Sequence, residues 1–163
     1  MKFFILTLTI IATSLTFNFK ALSAEDPQKK ELTEHQQWLK NKFNEQHNNL
    51  IPIVAVADIL FACNNANNNA YGKYTLDTLI TKMSKERLAE KLESCLGGEL
   101  VSSDTAINYG LLGCFHDQLD DLPQDEKAAR IKLVKKAISS LSKEERKKSF
   151  TQCVTDQSIS YLK

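Results

Sequence analysis

The sequence predicts an all-α fold: a compact bundle of six or seven short helices stabilised by two disulfides. Each of the four cysteines follows a large apolar residue by three positions, as Leu60-x-x-Cys63, Leu92-x-x-Cys95, Leu111-x-x-Cys114 and Phe150-x-x-Cys153. Residues i and i+3 share a helix face, so each thiol points into a core beside its apolar partner. The chain also opens with an export signal, and exported thiols oxidise. Alternation of apolar and polar residues never lasts more than a few positions, which leaves strands without support.

The signal occupies residues 1–24. Lys2 is a short positive region, Phe3 to Phe19 is mostly apolar, and Ala21 to Ala24 offers small residues for cleavage. No later stretch is read as a membrane span. The remaining 139 residues, from Glu25, form a single helical domain large enough to bury a core.

Pro27 suits the first position of a helix in which Leu32, Leu39, Phe43 and Leu50 make a narrow apolar seam, with Trp38 beside it. Asn48-Asn49 is expected to end it. Pro52 then starts a second helix through Cys63, apolar on nearly every side and therefore central. Asn64 to Gly72 reads as a loop. Thr75 and Ser84 cap two short helices, the second stopped by Gly97-Gly98. Ser102 or Ser103 opens a helix through Leu119, and Pro123, with Asp125 and Glu126, opens the next. Ser142 and Glu145 form a capping-box pattern for the last helix. The cysteines allow three pairings. The central second helix favours Cys63 joined to Cys114 or Cys95, with Cys153 taking one of the remainder.

Two interior features stand out. Ala106, Gly110 and Cys114 share one face, with Gly113 adjacent, a pattern that favours close approach of another helix backbone. Asp58 is the sole charge in the apolar second helix, and its neighbours make burial plausible. Burial would require a cation, several donors or a retained proton. Pairing with Arg or Lys, or simple exposure, is expected over a functional role.

Charge is segregated. Without Lys2 and Lys20 the chain has 19 basic and 20 acidic residues, but Leu92 to Glu126 holds eight carboxylates and no cation. Lys127 to Phe150 holds nine cations against Glu144 and Glu145. Within it, Lys132, Lys135 and Lys136 lie opposite the apolar face, and Lys143, Arg146, Lys147 and Lys148 crowd the early turns of the last helix, against its dipole. These seven residues are the expected binding site for an anionic partner: a membrane lipid, a polysaccharide or a host protein surface. A plainer reading has them face the acidic segment of the same molecule or of a second copy, in a homodimer. Nucleic acid is disfavoured by the near-zero net charge and the lack of aromatics in the stretch.

Catalysis finds no machinery. There is no Gly-x-Ser-x-Gly, phosphate loop or His-Glu-x-x-His, so the protein is read as a binding protein without catalytic residues, cofactor or metal. His116 with Asp117, Asp120 and Asp121 is the nearest approach to a metal site, and a solvated acidic helix end is the expected reading.

The signal, the runs Asn64-Asn65 and Asn67-Asn68-Asn69, and the four-cysteine set resemble small disulfide-bonded helical exoproteins of intracellular Gram-negative bacteria such as Legionella, including type II secretion substrates. That resemblance implies a secreted, virulence-associated protein and transfers no functional residue. Leu111 to Leu119, an apolar helix around a cysteine, is similar to periplasmic immunity proteins that block cell-wall amidase toxins. It implies the alternative of a periplasmic inhibitor with one protein partner.

Overall fold

The computed structural model describes residues 33–162. The signal at 1–24, the helix start at Pro27 and the seam residue Leu32 lie outside the described residues. Six helices follow one another: α1 (Glu34–Ala66), α2 (Leu76–Thr81), α3 (Lys85–Leu96), α4 (Asp104–Gln118), α5 (Gln124–Ser140) and α6 (Lys143–Ser160). No strand occurs among the described residues.

The two helices expected on either side of Pro52 are one. α1 runs unbroken through Pro52 for 33 residues, from a Thr33 capping box to an Asn67 cap. Proline removes the donor that Asn48's carbonyl would use, at about 3 kcal/mol in a helix interior. Asn48 is exposed, so water can take that carbonyl. Just beyond it Val54, Ala57 and Leu60 are fully buried, at about 1.5–3 kcal/mol for each large side chain. Burial outweighs the lost bond, and the helix continues. Its apolar part is also long and hydropathic enough to cross a membrane by length and composition, contrary to expectation. In the fold this part is the centre of the bundle, touching α2, α3, α4 and α6.

The other helix starts obey their caps. Thr75, Ser84 and Ser103 each accept a hydrogen bond from the backbone three residues on, and Ser142 and Glu145 form the reciprocal capping box. Gly97 closes α3 in the left-handed conformation, with φ of 61°. The asparagine-rich run is more ordered than a loop reading implies. Residues 64–66 complete α1, and buried Asn64 donates to the Gly72 carbonyl at 2.6 Å while accepting from the Tyr71 amide at 3.0 Å. Asn68 and Asn69, with Gly72, supply the positive φ angles that turn the chain, a conformation asparagine tolerates.

All four cysteines are oxidised, as Cys63–Cys95 and Cys114–Cys153, with no free thiol among the described residues. The first ties α1 to α3 and the second ties α4 to α6. Loops of 32 and 39 residues correspond to about 4 kcal/mol each in the chain-entropy model.

The small residues of α4 have the expected cause. A Cβ on Gly113 would collide with the Asp58 backbone of α1, and one on Gly110 would enter the Phe150 ring of α6. By propensity alone Gly113→Ala would stabilise α4 by about 1 kcal/mol. Backbone cannot rotate aside as a side chain can, so overpacking, typically about 1–3 kcal/mol, should dominate. Denaturant unfolding of Gly113→Ala is therefore expected to show a net loss of about 1 kcal/mol, and a gain would contradict the close contact.

Candidate functional site

The nine cations of the basic segment divide into two groups. Lys127 Nζ lies 2.6 Å from Asp120 Oδ1, and Arg130 reaches Glu126 at 3.3 Å. Arg146 donates to Asp104 and, through Nη1, to the Leu141 carbonyl at 2.6 Å; Lys143 lies 3.9 Å from Asp104. The acidic and basic stretches therefore neutralise one another in part, within one molecule. Arg146 is a correction to the expected binding set. Its side chain is 14% exposed and it clamps the α5–α6 turn to the start of α4.

Lys132, Lys135, Lys136, Lys147 and Lys148 are all exposed. None has a carboxylate within 4.0 Å among the described residues. They stand on α5 and α6, which are joined only by Leu141 and Ser142. α5 buries Ile131 and Ile138 against the bundle. Between Lys132 and the next turn's Lys136 it presents Leu133, which is 62% exposed. Leu133 is thus an exposed apolar side chain flanked by cations.

A second site lies at the C-terminal end of α4. Phe61 of α1, Asp77 of α2, His116, Asp117 and Asp120 at the end of α4, Lys127 of α5 and Tyr161 after α6 line one cleft of about 220 Å3. The expected solvated helix end is not found at His116. That imidazole is half-buried, meets Phe61 edge-on at 5.4 Å between centroids, and has its pKa pushed down by burial and by Lys127 and Lys135. Tyr161 donates its hydroxyl to Asp117 at 2.8 Å. His116 and these carboxylates do not meet around a common point. Among the described residues no three His, Cys, Asp or Glu side chains are placed to share a metal ion. Sequence reasoning found the α4 members of this cleft. It missed Asp77, Lys127 and Tyr161, which reach it only through tertiary folding.

Asp58 is fully buried, as its apolar neighbours allow, but no cation pairs with it among the described residues, so neither the expected ion pair nor exposure is found. Its one hydrogen bond comes from Gln157 Nε2, at 3.2 Å. Burial pushes its carboxyl well above the usual carboxylate range. Asp58 Oδ2 and Gln157 Oε1 are the atoms left without partners in this pair. A retained proton on Oδ2 is a donor for such an acceptor, and a neutral acid facing a primary amide can exchange two hydrogen bonds.

The sign of the pH effect follows. A carboxyl whose folded pKa is raised binds more protons folded than unfolded, so its contribution is complete below the ordinary value of 3.8 and is lost as pH rises through the folded pKa. Asp58→Asn keeps a donor in place of the proton and removes the titration. Denaturant unfolding across pH should show the variant gaining on the parent as pH rises, and parallel pH curves would contradict a neutral Asp58.

The chain matches no known family model, and no curated protein or solved structure is significantly similar to it.

Proposed function

We propose that this is a secreted, non-enzymatic binding protein that engages an anionic partner through the lysines of α5 and α6. The disulfides agree with an oxidising compartment outside the cytoplasm. The observation that carries the reading is the contrast within one basic segment. Four cations are paired internally, while Lys132, Lys135, Lys136, Lys147 and Lys148 are exposed without carboxylate partners among the described residues. Exposed leucine beside three of them favours an acidic lipid surface over a polysaccharide or a host protein.

One observation favours a second reading, a periplasmic inhibitor with a single protein partner. The first four turns of α1 are exposed on nearly every side, and Trp38, Leu39 and Phe43 are 55%, 48% and 47% accessible. His47 ties the base of this arm to α6 through the Thr155 carbonyl, at 3.0 Å. Such an apolar seam on a projecting helix suits protein docking.

Sedimentation with vesicles rich in phosphatidylserine, and with acidic polysaccharide, separates the two readings. Each lysine near an acidic bilayer is worth about 1 kcal/mol, so Lys135→Glu with Lys136→Glu, which removes two cations and adds two anions, should weaken vesicle binding by at least about thirtyfold. Lys147→Glu with Lys148→Glu should do the same, and binding should fall as salt rises. Helical content and melting temperature should hardly change, because none of the four side chains is in an ion pair. Unchanged binding in both double variants would contradict the lysine face. Retention in the periplasm with one co-purifying protein would favour the inhibitor reading.

A further inference from the structure

We propose that the cleft between α2, the end of α4 and the start of α5 binds a small zwitterion. Its ammonium would lie against Asp77 and Asp117, and its phosphate or carboxylate against Lys127. None of the five exposed lysines lines this cleft, and nothing in the reading above requires it.

Size limits the ligand first. About 220 Å3 is less than the roughly 300–1,000 Å3 of sites that enclose drug-sized molecules, so a head-group-sized compound is the match. Polarity limits it next. Tyr161 donates a hydrogen bond to Asp117, and its phenol pKa is pushed up by burial, then by Asp117 and Asp77. The His116 imidazole is pushed down by burial, then by the cations Lys127 and Lys135. The lining thus carries charges of both signs, the carboxylates of Asp77, Asp117 and Asp120 and the ammonium of Lys127. A ligand with a single charge would leave one of the two signs without a counterpart, whereas a zwitterion satisfies both.

The donor set supports the same class. Asp77, His116, Asp117 and Asp120 border the cleft but share no single coordination point, which suits separated ligand charges better than a compact metal ion. Lys127 is 14% exposed and its ammonium is fixed by Asp120 at 2.6 Å, so it is held in place before any ligand arrives. An ammonium has three donors, and this ion pair uses one. Asp117 gives one oxygen, Oδ1, to Tyr161 and keeps the other. The Phe61 and Tyr74 rings complete the wall, and aromatic rings attract ammonium groups. Tyr74 already has the Lys91 ammonium 5.3 Å from its ring centroid.

Calorimetric titration of the mature protein tests this with two zwitterions, O-phosphoethanolamine against its halves ethanolamine and inorganic phosphate, and γ-aminobutyrate against its halves propylamine and butyrate. At least one zwitterion is expected to bind tenfold or more tightly than either half, and the better one identifies the anionic group. Short-chain phosphatidylethanolamine binding as tightly as free phosphoethanolamine would assign a lipid head group as the source, and its exclusion would assign the free compound. Asp77→Asn and Lys127→Met should each weaken binding at least tenfold, while Lys147→Glu with Lys148→Glu leaves it unchanged. Asp77 is exposed and in no ion pair, so its variant remains decisive if Lys127→Met fails to fold. The proposal is overturned if neither zwitterion binds more tightly than its halves, or if Asp77→Asn binds as tightly as the parent.

Discussion

Helices α1 and α4 approach at Asp58 and Gly113 so closely that a single methyl group would meet backbone. Most of the remaining architecture depends on that contact. It places α4 against the apolar half of α1, which lets α4 carry α6 on one side through Gly110 and the Cys114–Cys153 bridge. On its other side α4 carries α5, which adds Ile131 and Ile138. It also seals Asp58 from water and from cations, leaving Gln157 as its hydrogen-bond donor. Burial of this kind is tolerable for a carboxyl that keeps its proton. The close contact and the raised pKa of Asp58 are therefore two aspects of one packing decision.

Much of this was legible in the residues. Caps at Thr75, Ser84, Ser103 and Ser142 are local chemistry, and each appears where its sequence places it. The four apolar-x-x-Cys pairs gave the buried face of each bridged helix for the same reason, because i,i+3 geometry needs no knowledge of the fold. Pro52 was misread as a helix start because propensity is local while the burial of Val54, Ala57 and Leu60 is not. The partner of Asp58 was invisible for a similar reason, since Gln157 is 99 residues away.

The functional sites show the same division. Segregated charge along the chain marked a basic region, but only tertiary structure separates cations that serve the fold from those left to solvent. Arg146 and Lys147 are neighbours in sequence with opposite fates: one clamps Asp104 and the Leu141 carbonyl, the other is exposed. The cleft was half legible. His116, Asp117 and Asp120 were visible as a cluster, whereas the lysine and tyrosine that give it two polarities come from other helices. Both candidate sites rest on the bundle organised by α4, and the exposed arm of α1 stands outside it.

Native-state hydrogen exchange tests this organisation most directly. If the α1–α4 contact is the element on which the fold depends, the slowest amides should be those of residues 53–63 and 106–115, exchanging only on global unfolding. Residues 34–46, with few buried contacts, should exchange much faster although they belong to the same continuous helix. Uniform protection along α1, or α5 amides slower than those of α4, would contradict the account.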